Sequence, residues 1–178
     1  MSFLNIFKKK PRGPKINVRV WINQEAKEKA CTKMALADPA LIFIAWSKVT
    51  WDHFQEAFKA QGLPNEVLLA KDIIPSRMTG KNFVFLERHY DHDKEDKLLN
   101  SLKTNQVLVH VSLNDPLMAV FSGDRLLEMM NKMGVKEDEF IEHPMINKSI
   151  ERAMEKIKNS DIRGDDYGEL TNWIEGIT

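Results

Sequence analysis

The 178-residue sequence has little of several features that assign a protein to a class at once. It has one cysteine, Cys31, which excludes a disulfide framework and favours a reducing compartment, so we expect a cytoplasmic location. Its 26 basic and 26 acidic residues cancel, which leaves no overall field that attracts nucleic acid. No apolar run approaches the length of a membrane-spanning helix, and no cleavable signal peptide is visible.

A phosphate-binding loop is also missing. Phosphoryl transfer requires a phosphate cradle, a carboxylate that binds the metal, and cations near the γ-phosphate. The closest match to G-x-x-x-x-G-K-[ST] is Gly80-Lys81, but it precedes a predicted strand, lacks the upstream glycine and has Asn82 in the Ser/Thr position. The sequence therefore predicts a protein that is not an ATPase and has no bound cofactor.

Strands and helices alternate along the first two thirds of the chain. The pattern predicts strands over residues 16–21, 41–46, 66–70, 83–86 and 107–113. Asn23, Thr50 and Asp91 are the predicted N-caps of the helices between them. Consecutive strand–helix–strand units build parallel sheets with right-handed crossovers. We therefore predict one α/β domain with a mostly parallel sheet flanked by helices.

The first predicted helix carries a narrow apolar face. Its members are spaced at helical intervals: Ala26, Ala30, Met34 and Ala37. Cys31 lies beside them, where a small buried side chain is a better interpretation than a nucleophile.

The stretch from Asp115 to Ile157 has the clearest helical period. Asp115-Pro116 begins a short helix, and the next helix ends at Gly134. His143-Pro144 opens a longer helix, in which Glu142-His143 is interpreted as a corner between helices. One face of that helix carries an apolar stripe: Ile146, Ile150, Ala153 and Ile157. The stripe predicts burial against this domain, a second copy or a protein partner, because an exposed stripe would be an apolar patch.

These residues resemble the end of the second nucleotide-binding, C-terminal helicase domain of the preprotein translocase SecA. The matching positions are Asp115, Leu117, Met118, Phe121, Gly123, Asp124, Arg125, Met130, Met133, Gly134, Ile141, Glu142, His143, Met145, Ile150 and Ala153. A second block resembles the strand that opens that domain, at Gly62, Pro64, Val67, Leu68, Ala70 and Lys71. The resemblance implies a RecA-like fold with a C-terminal helical extension, and a link to protein export.

The resemblance weakens where the motor chemistry of the family is located. Glu87-Arg88-His89 is similar to the family's Glu-Arg-His, but the preceding Ala-Gly-Arg-Gly-Thr-Asp element has no counterpart. The following helix has aspartates and lysines where the family has phosphate-facing arginines. Arg88 is the one retained candidate for nucleotide binding. We therefore predict a non-catalytic, SecA-like binding or regulatory module.

An alternative is a metal- or nucleotide-dependent hydrolase. His89, His92 and Asp93 follow a predicted strand closely enough to bind a divalent cation, with His110 on the next strand. In the competing interpretation Asp91 caps the helix, Asp93 complements its dipole, and His89 makes a structural hydrogen bond.

The predicted organisation has four parts. Residues 1–15 form an apolar and basic N-terminal segment, which is either solvated or in weak contact with an anionic membrane surface. Residues 16–142 form the SecA-like domain, residues 143–159 the scaffold-like helix, and residues 160–178 an acidic tail. The predicted partner is another protein, or a second copy bound through the C-terminal helix. No nucleic acid is expected, because no basic groove accompanies the aromatic residues.

Overall fold

The structure, a computed structural model, describes residues 13–120, 123–132, 134–136 and 138–159. Within these residues six strands form one sheet in the order β3-β2-β4-β5-β1-β6. The strands are β1 (Lys15–Trp21), β2 (Ile42–Ala45), β3 (Val67–Leu69), β4 (Phe83–Phe85), β5 (Gln106–Ser112) and β6 (Phe140–Ile141). The first five are parallel to one another, and β6 is antiparallel to β1. The predicted α/β class with a mostly parallel sheet is confirmed, and it is consistent with a RecA-like domain.

Helices cover both faces of the sheet. They are α1 (Gln24–Ala37), α2 (Lys48–Ala60), α3 (His92–Ser101), α4 (Pro116–Val120), α5 (Gly123–Lys132) and α6 (Pro144–Asn159). Helices α1 and α2 pack on one face, where Cys31 and Phe54 join Phe43 and Leu86 in one apolar cluster. Helices α3 to α6 pack on the opposite face. Among the described residues, no helix has both the length and the apolar character needed to cross a bilayer.

The predicted strands are found within one or two residues of their expected ends, but β6 was not anticipated. Two residues are too few for an alternating pattern, so only its pairing with Val20 and Trp21 identifies it. Two predicted caps are confirmed: the Asn23 side chain accepts a hydrogen bond from the Ala26 amide at 2.8 Å, and Asp91 caps α3. The Thr50 cap is wrong. Ser47 caps α2 instead, because that helix begins at Lys48.

The predicted apolar face of α1 is confirmed at Ala26, which is buried, and is wrong further along the helix. The helix also buries Lys27, Cys31 and Ala35, whereas Ala30 and Met34 are only half-buried and Ala37 is exposed. The inferred burial of Cys31 is confirmed, and burial raises the pKa of its thiol to about 12. Helix α1 is rotated so that Lys27 faces the sheet. The partner of Lys27 there is Asp115, which follows β5.

The apolar stripe of α6 is covered by this domain. Ile146, Ile150, Ala153 and Ile157 all belong to the core beneath α3 to α5, and Ile150 has no exposed surface. Of the three predicted ways to cover the stripe, the structure selects burial within the chain. The stripe is therefore not available to a partner or a second copy. Helix α6 shares its core with strands and helices from residues 16–142.

Shortening the stripe should reduce stability by the amount typical of a core site. We expect Ile150→Val to lower the free energy of unfolding by about 0.5–1.5 kcal/mol, because it removes one buried methylene group. Met145→Ala, on the same helix but 70% exposed, should change stability by less than about 0.5 kcal/mol. Urea denaturation of both variants measures the difference, and equal effects would contradict this packing of α6.

Some predictions fall outside the described residues. These are the membrane contact of residues 1–12, the acidic tail from 160 to 178, and the turn at residues 121–122 between α4 and α5.

Candidate functional site at the carboxyl edge of the sheet

Parallel α/β sheets bind ligands beyond the carboxyl ends of their strands. In this protein the carboxyl edge is formed by residues after β2, β4 and β5, and by the N-terminal turns of α1 and α2. The residues that the sequence analysis predicted to bind a nucleotide or a metal ion lie near this edge. The contacts of each charged group there indicate what the site can bind.

Arg88 leaves β4 and enters the protein interior. Its Nε atom donates to Glu95 Oε1 at 2.7 Å, and the two side chains are only 1% and 2% exposed. Its Nη2 atom also lies 3.6 Å from the sulfur of Met154. The predicted phosphate-facing cation is therefore neutralised by a carboxylate on α3, under α6. Sequence reasoning missed Glu95 because one charge in a charged helix does not stand out.

Glu87 occupies the N-terminal turn of α2. Its carboxylate accepts hydrogen bonds from the amides of Trp46 and Ser47 at 2.8 and 2.7 Å, and from the Thr50 hydroxyl at 2.8 Å. Burial raises the pKa of Glu87, and the Ser47 amide, Lys27 and Thr50 oppose that shift. Free amides at the start of a helix after a parallel strand are where α/β proteins hold phosphate. Here an internal carboxylate uses those donors.

Lys27 is the third charged group at this edge. Its ammonium group lies 2.7 Å from Asp115 Oδ1 and 3.1 Å from the carbonyl oxygen of Leu86, and its side chain is 1% exposed. Asp115 also accepts from the amide and hydroxyl of Ser112, at 2.9 and 2.7 Å. This network explains why α1 turns Lys27 towards the sheet. It also engages the ammonium group that could otherwise meet an anion.

The structure does not bring the proposed metal ligands together. The ring of His89 is turned to its own loop, where Nδ1 accepts from the Asp91 amide at 2.8 Å. His92 Nδ1 lies 3.2 Å from Asp96, and the Asp93 carboxylate is 2.6 Å from Lys158 Nζ. In the part of the chain that the structure describes, no group of three His, Cys, Asp or Glu side chains is arranged to hold a metal ion.

The divergence of these side chains has a local cause. Asp91 caps α3 by accepting from the amides of Asp93 and Lys94, at 3.0 and 3.3 Å. The chain therefore enters the helix at His92, and the side chains of His92 and Asp93 contact Asp96 and Lys158 instead of His89. The structural interpretation of Asp91 and His89 is the one that the contacts support.

His110 is completely buried in β5, two residues before the carboxyl end of that strand. The indole Nε1 of Trp21 donates to its Nδ1 at 2.9 Å. Burial, followed by the nearby charges of Arg19 and Lys27, lowers the pKa of His110 to about 3. The ring is therefore neutral with its proton on Nε2, and that atom has no hydrogen-bond partner among the described residues.

The Glu142-His143 corner is structural as predicted. His143 Nδ1 accepts from the Met145 amide at 3.2 Å, which caps α6. Glu142 lies 3.7 Å from Arg19 Nε.

Part of the chain is similar to known translocases. A 67-residue stretch is 54% identical to protein translocase subunit SecA of Acinetobacter baumannii, and the same identity is found for Acinetobacter baylyi. The SecA of Acidithiobacillus ferrooxidans is 48% identical over 67 residues. Each alignment covers 35% of this chain but only 7% of the relative. No family model matches the chain. The chain therefore contains a SecA-like segment, and it spans a small part of the length of these relatives.

Proposed function

We propose that this SecA-like chain is a non-catalytic module that descends from the C-terminal helicase domain of a SecA protein and acts by binding another protein in cytoplasmic protein export. The support from similarity is the SecA-like segment, since the matched relatives are named as translocase subunits. The support from geometry is that the charged groups at the carboxyl edge of the sheet are bound to partners within the chain.

One observation carries the non-catalytic part of the proposal. The three charged groups at the carboxyl edge each have an internal partner: Arg88 with Glu95, Lys27 with Asp115, and Glu87 with the first turn of α2. A triphosphate needs cations and amide donors that are free to receive it. Here it would have to displace buried ion pairs, and leaving one charge of such a pair unpaired costs several kcal/mol.

The negative charges of α3 also oppose the binding of a nucleotide. Asp91, Asp93 and Asp96 lie in or before its first turns, next to the loop that follows β4. A triphosphate at this edge would approach three carboxylates. Asp93 lies beside Lys158 and Asp96 beside His92, whereas the Asp91 side chain accepts from backbone amides of α3. Repulsion between like charges therefore adds to the cost of opening the ion pairs.

ATP binding and hydrolysis test the non-catalytic part. We expect the purified full chain to release phosphate from Mg·ATP no faster than buffer does, and to give no binding heat in isothermal titration at millimolar ATP. Titration with Mg²⁺, Mn²⁺ and Zn²⁺ should likewise give no saturable heat. Hydrolysis that co-purifies with the protein and is lost in Arg88→Met would overturn the proposal in favour of a retained nucleotide site.

The link to export needs a separate measurement. We expect the purified chain to bind the SecA or the membrane translocase of its own cell saturably, with an effect on the rate of preprotein transport into inverted membrane vesicles. The same chain, denatured by heat before it is added, is the control for non-specific binding. Transport that is unchanged at saturating protein, together with no binding to either component, would remove export from the proposal while leaving the absence of catalysis intact.

A further inference from the structure

The two edge strands of the sheet differ in how their outer sides are covered. At β3 the outward-facing carbonyl oxygen of Val67 accepts from Trp51 Nε1 at 2.9 Å and from Gln55 Nε2 at 3.1 Å. Side chains of α2 therefore engage that edge. At the opposite edge, β6 pairs with β1 alone among the described strands. The free N–H and C=O groups of an uncovered edge strand can pair with another chain.

The outward-facing backbone groups of β6 belong to Phe140 and Glu142. The register places Ile141 opposite Val20 and Phe140 opposite Trp21. Trp21 directs its carbonyl oxygen to the chain that follows β5, at 3.0 Å, so Val20 directs its N–H and C=O to Ile141. Phe140 and Glu142 lie on either side of Ile141 and therefore turn their N–H and C=O away from the sheet.

The side chains at this edge are exposed. Between Asp138 and Met145 every residue except Ile141 is exposed, and Phe140 is 39% exposed. The guanidinium of Arg19 lies 4.4 Å from the centroid of the Phe140 ring and helps to fix it. Exposed aromatic and methionine side chains are enriched where proteins bind one another.

The charges of the edge are negative. Residues 138–145 contain three carboxylates and no lysine or arginine: Asp138, Glu139 and Glu142. Glu139 accepts from the Lys136 amide at 3.1 Å. Glu142 lies 3.7 Å from Arg19 Nε, which is longer than a hydrogen bond. The edge therefore favours a segment that carries positive charge.

Two of the carboxylates flank Phe140 on one face of the sheet. Asp138 and Glu142 each line a depression on the face that α1 and α2 cover. Phe140 contacts Trp21 on that face, with ring centroids 5.4 Å apart. Side chains of a strand point to the same face at alternate positions. Three alternate side chains of an added strand would therefore meet a carboxylate, an aromatic ring and a carboxylate.

We propose that the free edge of β6 binds an extended segment of another protein, in which an apolar side chain stands between two basic ones at alternate positions. The backbone of the segment bonds to Phe140 and Glu142, and its apolar side chain packs on the Phe140 ring. Its basic side chains meet Asp138 and Glu142. The pattern is the same in both chain directions, so it fits a parallel and an antiparallel strand. The inference rests on the protein-binding role proposed above and requires no link to export.

A second copy of the chain is a poorer occupant. Antiparallel pairing of two β6 strands about Phe140 would place Asp138 of each copy opposite Glu142 of the other. Like charges directly opposite one another destabilise a pair of strands.

Peptide binding tests the occupant. The probe is a fluorescein-labelled peptide, T-K-V-F-V-K-T, added to the full chain and followed by fluorescence anisotropy. We expect saturable binding that weakens about tenfold when the three central amides are N-methylated, because the edge then loses its backbone partners. Replacing both lysines of the peptide by glutamate should weaken it by about tenfold as well. Binding that survives N-methylation would overturn the proposal, and so would no binding at all.

An exchange of charges tests the site. Asp138→Lys/Glu142→Lys should lose the basic peptide and bind T-E-V-F-V-E-T instead, a gain that an unfolded chain would not show. Glu56→Lys/Glu66→Lys makes the same change of net charge at exposed positions on α2 and before β3. It should leave both affinities unchanged. Equal effects of the two double variants would contradict binding at this edge.

Hydrogen exchange locates the segment. Saturating peptide should slow the exchange of the Phe140 and Glu142 amides by about tenfold. Protection of both amides before any peptide is added would overturn the proposal. It would favour a second copy if it grows with protein concentration, and the chain's own basic residues 8–12 if it does not. A chain that binds SecA or the translocase but not the peptide would overturn this inference and leave the proposed function standing.

Discussion

Glu95→Gln is expected to lower the free energy of unfolding by about 3–5 kcal/mol, since it leaves the guanidinium of Arg88 buried beside a neutral amide. Two hydrogen bonds from Arg88 Nε reach the carboxylate, at 2.7 and 2.9 Å, and the His89 amide adds a third at 3.2 Å. Glutamine keeps the shape and one acceptor oxygen but loses the charge. Urea denaturation at neutral pH measures the loss.

Two controls separate burial from charge alone. Asp52→Asn breaks an exposed ion pair with Lys48, whose side chain is 62% exposed, and should cost about 0.5 kcal/mol or less. The double variant Arg88→Met/Glu95→Leu removes both charges and should recover most of the stability lost in Glu95→Gln, because apolar pairs can replace buried ion pairs at little cost. If Glu95→Gln and Asp52→Asn have equal effects, Arg88 is not held in the interior as described.

The stability of the protein should fall as the pH decreases from about 6.5 towards 3, and His110 should account for a large part of the fall. Its pKa is lowered from 6.5 to about 3 in the folded chain. The unfolded chain therefore binds a proton in this interval that the folded chain does not. Stability linked to His110 is fully present above the unfolded pKa and decreases by about 1.4 kcal/mol per pH unit below it.

His110→Gln removes this titration and keeps an acceptor for the Trp21 indole. We expect its free energy of unfolding to depend less steeply on pH between 6.5 and 4 than that of the unsubstituted chain, by close to 1.4 kcal/mol per unit. Ile150→Val, a core variant that does not titrate, should give a curve displaced but parallel. Proton NMR of the His110 ring gives an independent check, since its signals should not move above pH 4. Parallel curves for His110→Gln and the unsubstituted chain would contradict the buried neutral ring.

The strands were predictable because their signal is local. Continuous apolar runs such as residues 41–46, bounded by Asp38-Pro39 and by Ser47, mark a strand buried on both faces without knowledge of its neighbours. The caps at Asn23 and Asp91 were predictable for the same reason, since each bonds to amides two or three residues further along. β6 was missed because it consists of two residues.

The buried face of α1 was predictable only at Ala26. Sequence analysis predicts the buried face of a helix from the apolar side chains at helical spacing. For α1 these are Ala26, Ala30, Met34 and Ala37. The helix instead buries Lys27, because its ammonium group donates hydrogen bonds to Asp115 and to the Leu86 carbonyl oxygen. Turning Ala30 and Ala37 inward would turn Lys27 outward and leave the largely buried Asp115 carboxylate without its cation. That loss costs several kcal/mol, more than the burial of two small side chains returns.

By itself the amino-acid order determined the α/β class, the succession of strands and helices, and the requirement that the stripe of α6 be covered. These follow from periodicity and capping, which act over a few neighbouring residues. Only the tertiary structure decided that the stripe is covered by its own domain, and which charges meet. Lys27 and Asp115 are 88 positions apart, and Arg88 meets a carboxylate on the next helix. Such pairs form when folding buries both partners at the same place. A pattern over a few neighbouring residues does not predict which distant residues come into contact.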